Sequence, residues 1–177
     1  MTEPLFRKLL GEAFDTLPTQ VRAIHSIEAR DTWRGEATIT RGKNPIANLC
    51  ARIAGLPTTR ARVPTSVEFI ADATGETWRR DFGGARMVSR YRARNGRLRE
   101  RLGPMEFVFA LEARDGEIFW STVGVWLLGV LPLPSSWFTQ VRCREREFEG
   151  RYEFLVEASM PLIGRLIRYE GWLAHGL

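Results

Sequence analysis

The chain has 177 residues, 44% of them hydrophobic and 27% charged, a balance that suits one globular domain and excludes a fibrous or disordered chain. Basic residues outnumber acidic ones 26 to 21, and all but Lys8 and Lys43 of them are arginine. Such an excess fits an anion-binding surface and equally an arginine-rich codon usage, so charge alone selects no partner. Cys50 and Cys143 lack CxxC or CxxH spacing, which points to reduced thiols in a cytoplasmic protein rather than to a disulfide framework or a metal site. The N-terminus has no basic region followed by a continuous apolar stretch, so no signal peptide is expected. The most apolar segment, 118–134, is too interrupted by Gly and Pro to span a bilayer.

Helices are expected first. Pro4 suits a first helical position, and Leu5, Phe6, Leu9, Leu10, Ala13, Phe14 and Leu17 recur at three- and four-residue spacing. Pro18 opens a second short helix carrying Val21, Ile24 and His25. Asn44 and Pro45 then signal a third, with Ile46, Leu49, Cys50 and Ile53 along one side and Gly55 as its stop. The rest reads as strands. Alternation runs through 33–41, 65–69, 76–82, 86–94, 97–102, 105–113, 117–128, 140–148, 151–160 and 164–173, with tight-turn signals at Gly83-Gly84, Asn95-Gly96, Asp115-Gly116 and Glu149-Gly150 and a loop over 131–134. About ten strands joined by short turns predict a mainly β (α+β) single domain over 1–177. Its antiparallel meander, over 31–173, curls into a barrel, half-barrel or bent roll. A helical lid over 1–27 covers one opening, because its apolar stripes need a surface to bury against, and the third helix falls at 44–54.

Strand parity identifies side chains that face inward. Arg80 shares a face with Trp78 and Phe82, Ser89 with Met87 and Tyr91, and Glu100 with Leu98 and Leu102. Arg80 and Glu100 are therefore charges on apolar rows, costly unless paired. Two readings stay open: an interior Arg80–Glu100 ion pair, or a pair of groups orienting the polar end of a ligand. Arg41 and Tyr169 stand at strand ends where they can join the same pocket, although Arg41 can equally bind the carbonyls of a turn.

On 140–148, Val141, Cys143, Glu145 and Glu147 share a face opposite three arginines, a pattern that fits an exposed strand with cross-strand ion pairs better than an interior acid. His25, near the end of the second helix, reads as a packed histidine and is also the first choice for any proton transfer. His175 belongs to a tail and carries no weight. The arginines at 86, 90, 92, 94, 97, 99 and 101 form a solvated sheet face with no nucleic-acid-binding motif beside them. Ile118, Trp120 and Trp126 on one parity, with Phe119, Val123, Val125 and Leu127 on the other, suggest a strand apolar on both faces, covered outside by a helix or a partner.

Several local motifs follow one another in an ordered set. They include Leu9-Leu10-Gly11 through Leu17-Pro18, Val21-Arg22 with His25, Gly35-Glu36-Ala37-Thr38 ending in Arg41-Gly42, and Gly55-Leu56-Pro57. Further on come Trp78-Arg79-Arg80 with Phe82-Gly83-Gly84, Glu100-Arg101 with Gly103-Pro104, Gly129 with Leu131-Pro132-Leu133-Pro134, and Arg168-Tyr169-Glu170-Gly171-Trp172-Leu173. Together they resemble the bacterial domain-of-unknown-function family 4166 along nearly the whole chain. The resemblance implies stand-alone domains or appendages to saccharopine-dehydrogenase-like NAD(P)-binding domains or to membrane segments. Neither extension is expected here, so a reductase or peripheral-membrane partner would act in trans. It supplies no catalytic residues, but it places His25, Arg80, Glu100 and Tyr169 inside matching motifs.

The functional expectation is a small binding module with an apolar cavity for a lipid-like or polycyclic ligand. Arg80 and Glu100 would fix the ligand's polar group, with Trp78, Ser89, Tyr91, Tyr169 and Arg41 around it. No cofactor, metal or nucleic acid is expected. The alternatives are an isomerase- or cyclase-type enzyme in the same cavity, with His25 or Glu100 moving protons, and an interaction domain for a redox or membrane partner. A homodimer through Trp120 and Trp126 is a further possibility.

Overall fold

The computed structural model describes residues 3–138 and 140–176. Its strands are β1 (Arg30–Arg41), β2 (Arg60–Asp72), β3 (Gly75–Phe82), β4 (Ala85–Arg94), β5 (Arg97–Leu102) and β6 (Met105–Arg114). They continue with β7 (Glu117–Leu127), β8 (Leu131–Leu133), β9 (Gln140–Phe148), β10 (Arg151–Met160) and β11 (Gly164–His175). Each of β1 to β7 pairs antiparallel with the next, β7 pairs with β9, and β9, β10 and β11 return to β1. The result is a closed ten-stranded antiparallel barrel, which leaves its ten wall strands no free edge. β8 is an added short strand on the far half of β7, where the alternation had suggested only a loop.

Turn chemistry sets this register. Asn95-Gly96 and Asp115-Gly116 both adopt positive φ at both positions, the conformation whose twist matches a two-residue hairpin. Closure also needs three residues without side chains along the β1–β11 seam, Gly35, Gly171 and, just past β1, Gly42 against the Arg165 carbonyl. A Cβ on Gly35 of β1 would lie 1.9 Å from the Trp172 carbonyl oxygen, and one on Gly171 of β11 would lie 2.1 Å from that of Glu36. The β1–β11 seam therefore brings the two backbones closer than any alanine allows.

The first helical segment is not continuous. Helix α1 (Leu5–Leu10) ends at Gly11, a 3-10 turn follows over Gly11–Thr16, and α2 (Thr19–Ile24) begins after Pro18. Phe6, Phe14, Val21 and Ile24 are buried against the end of the barrel where β3 and β7 start, so these segments form a plug. The main apolar cluster lies between this plug and the barrel wall, and a smaller one around Ile39, Phe82 and Ile167 lies towards the other end.

Helix α3 (Pro45–Ile53) stands at that other end. The Asn44 side chain caps it by accepting from the Ile46 N–H at 2.9 Å. Its packing reverses the expected orientation. Ala47 and Ala51 are buried, with the helix seated on β11, while Ile46, Leu49 and Ile53 are 58%, 57% and 65% exposed. Small side chains permit the close approach, and the large apolar ones are left exposed, away from β11.

The outer wall of the barrel carries charges and the inside is apolar, the reverse of a barrel embedded in lipid. Among the described residues no helix is long and apolar enough to cross a membrane.

Gly35→Ala is expected to lower unfolding stability by about 1–3 kcal/mol, as forced overpacking does. Chemical denaturation checks this; a loss below about 0.5 kcal/mol, the range of an ordinary surface change, would show that the seam relaxes freely.

Candidate functional site

The barrel encloses a cavity of about 300 Å³. Phe69, Trp78, Phe109, Trp120 and Phe154 contribute walls from five different strands. At the plug end, Phe6 packs behind the lining residue Trp120, 5.5 Å away, and its ring stacks on His25 at 3.7 Å. At the other end the lining includes Ile53 and Leu56 from α3 and its exit, Pro104 from the β5–β6 turn, and Trp137 after β8. Ile53 and Trp137 face the cavity and are also substantially exposed, so they mark the mouth.

Two polar groups interrupt the apolar wall. The first is built on the β3–β4 hairpin, whose register opposes Arg80 to Met87 and Trp78 to Ser89. Arg80, only 8% exposed, donates to Ser89 Oγ at 2.9 Å and to Tyr91 Oη at 2.6 Å. The Tyr91 hydroxyl donates in turn to Glu100 Oε1 at 2.6 Å. Arg80 and Glu100 thus communicate through a phenol, and among the described residues no carboxylate stands within ion-pair distance of Arg80. Burial opposes its charge, but the oxygens of Tyr91, Tyr169 and Glu100 outweigh that, and the guanidinium is held above its ordinary range. Its carbon lies 5.0 Å from the Trp78 ring centroid, a cation–π contact in a desolvated setting.

The second group lies under the plug. His25 Nε2 and Glu145 Oε2 are 2.7 Å apart, and both residues are 1% exposed. The other ring nitrogen, Nδ1, is buried without a protein partner. Glu145 reaches the cavity and His25 does not. Nearby Glu147 accepts the Gln20 N–H at 2.8 Å, so adjacent carboxylates of β9 both hold α2. Burial pushes the Cys143 thiol and the Tyr152 phenol upward, and the Glu145 charge adds to both shifts. Tyr91 and Tyr169 are raised as well, chiefly by burial. At neutral pH these four groups are therefore protonated.

Of the residues singled out from the sequence, Trp78, Arg80, Tyr91, Glu100 and Tyr169 line the cavity, and Ser89 lies behind Arg80 as its acceptor. Arg41 does not belong to the site. Its guanidinium donates to the Leu56 and Pro57 carbonyls and fastens the loop after α3. Trp120 faces the cavity and is 4% exposed, so it offers no outer patch with Trp126. The cause is a bulge opposite Val108 and Phe109, which switches the inward parity of β7 from Ile118 and Trp120 to Val125. His175 ends β11, where it bonds Asp31 at 3.1 Å. Glu145 was underrated by its alternating charges, and Tyr152 and Glu76 were missed altogether. Glu76 accepts from Trp78 Nε1 at 2.8 Å, and burial pushes its carboxyl upward against that hydrogen bond.

The chain belongs to the family described as Domain of unknown function (DUF4166), whose model matches residues 17–173. No curated protein matches its sequence.

Two stability measurements test this geometry. Glu145→Ala leaves the buried His25 Nε2 without its hydrogen-bond partner and should cost about 1–3 kcal/mol in denaturant unfolding; a loss under about 0.5 kcal/mol would mean that this contact does not hold the plug. For Glu76, the folded chain binds the proton more tightly than the unfolded chain, so stability declines as pH rises upward from the ordinary glutamate range. Glu76→Gln should therefore raise the melting temperature at about pH 8 and make little difference at about pH 4. An equal effect at both pH values would contradict the assignment.

Proposed function

For a chain of this family, whose description names no activity, we propose a binding protein for a small amphiphile: its acidic head group pairs with Arg80 and its apolar body fills the barrel. The observation that carries this reading is a buried, charged guanidinium on the wall of an apolar cavity, held directly by two neutral hydroxyls and by no carboxylate. Buried charges are ordinarily paired, and a carboxylate, sulfonate or phosphate on the ligand supplies the missing anion. Ser89 and Tyr91 hold the guanidinium in place before the ligand arrives, which limits the ordering cost of binding. The volume, about 300 Å³, lies at the small end for ligand pockets and suits a medium-sized tail or a compact ring system.

Binding is favoured over catalysis by the state of the cavity's reactive groups. The Cys143 thiol and the Tyr91, Tyr152 and Tyr169 phenols are all pushed towards their protonated forms, whereas a nucleophile needs the opposite shift. His25 is buried behind the floor with its free nitrogen unpartnered, a placement that suits an anchor for the plug.

The protein should bind a medium-chain fatty acid at least about tenfold more tightly than the alcohol of the same length, the difference expected of a charge-assisted hydrogen bond in a dry site. Titration calorimetry on the unaltered chain measures both. Arg80→Met, checked for folding by circular dichroism, should erase the preference while retaining affinity for the alcohol. Equal affinity of the unaltered protein for acid and alcohol would overturn the reading.

A further inference from the structure

The two ends of the barrel differ in surface chemistry. Of the eleven exposed large apolar side chains among the described residues, all but Val88, Val123 and Phe148 stand at the mouth end. They include the outward face of α3, Leu128 and Val130 in the β7–β8 turn, and Leu162 in the β10–β11 turn, which is 103% exposed. These segments form a continuous rim. Ala54 lies beside Gly103, and the Leu128 N–H donates to the Pro104 carbonyl at 2.7 Å. Exposed apolar side chains on a monomer are normally scattered, whereas these gather around one opening.

Charge follows the same division. Residues 37–67, 101–105, 118–144 and 158–169, which build most of the rim, contain no Asp or Glu. Lys43, Arg52 and Arg165 are exposed there, and among the described residues none of them is within ion-pair distance of a carboxylate. The plug end carries both signs, with Glu3, Glu12, Asp15, Asp72, Asp115 and Glu149 beside Arg7, Lys8, Arg22, Arg94, Arg97 and Arg151, whereas at the mouth end Asp81, before the β3–β4 turn, is paired with Arg86.

We infer that the mouth end docks on an anionic lipid bilayer, with α3 lying in the interface and the cavity opening towards the lipid. An apolar helix face flanked by cations and lacking carboxylates fits that surface, since apolar burial and attraction to acidic head groups act together. A second copy of the chain fits less well, because pairing two such ends would oppose like charges. The inference rests on surface residues alone and does not require the cavity ligand proposed above. It would, however, give an amphiphile a route into the barrel that avoids water.

Flotation with vesicles tests it. The protein should float with vesicles of equal parts phosphatidylcholine and phosphatidylglycerol, and at least about tenfold less with phosphatidylcholine alone. Ile46→Ser with Leu49→Ser, both already exposed and neither lining the cavity, should reduce flotation at least about tenfold and leave the fatty-acid preference of the cavity intact. Val88→Ser on the outer wall should change nothing. No flotation, or equal flotation of the Ile46→Ser, Leu49→Ser variant, would overturn the inference. So would a stable dimer in light scattering that Leu49→Ser dissolves, since the face would then belong to a second copy. Either failure would leave the comparison of acid with alcohol unaffected.

Discussion

Arg80 keeps its charge inside an apolar barrel, and the arrangement of the cavity follows from that constraint. Removing a guanidinium from water costs several kcal/mol unless other groups replace its hydration. Here Ser89 and Tyr91 accept from it, Trp78 offers its ring face, and Glu100 acts at one remove through the Tyr91 hydroxyl. The relay orients the phenol and leaves Arg80 without a direct carboxylate partner. A fully satisfied ion pair would have neutralised the wall, whereas this arrangement keeps a positive site facing an apolar space.

The same barrel is sealed at one end and open at the other for physical reasons that can be traced to particular residues. At the sealed end, Phe6 stacks over His25, and Glu145 and Glu147 both hold α2, so aromatic packing and hydrogen bonds act on one element. At the open end, α3 approaches β11 through Ala47 and Ala51 and turns its larger side chains away from the core. A polar, stapled end and an apolar, cationic end give the molecule a direction. The cavity lies between them, with its positive group partway along the wall.

Much of this was legible in the chain because hairpins preserve parity. Gly83-Gly84 ties β3 to β4, so counting alternate residues brought Trp78, Arg80, Ser89 and Tyr91 to one face. The same counting failed in β7, where the bulge reverses parity within a segment apolar at both parities and so hides the switch. Glu145 was obscured for a different reason. Its strand alternates Arg and Glu like an exposed one, and what buries it is a histidine 120 residues earlier in the chain. In α3, helical spacing located the helix and its cap, but it carries no information on whether the alanines or the isoleucines meet the barrel. That choice depends on how closely the two backbones can approach.

The most direct measurement of the central claim is a crystal structure of the protein grown with a medium-chain carboxylate. A carboxylate oxygen should lie about 3 Å from the Arg80 guanidinium, with the tail among Phe109, Phe154 and the residues leading to the mouth. A head group left in solvent at the mouth, or a cavity filled instead by repacked side chains, would contradict it.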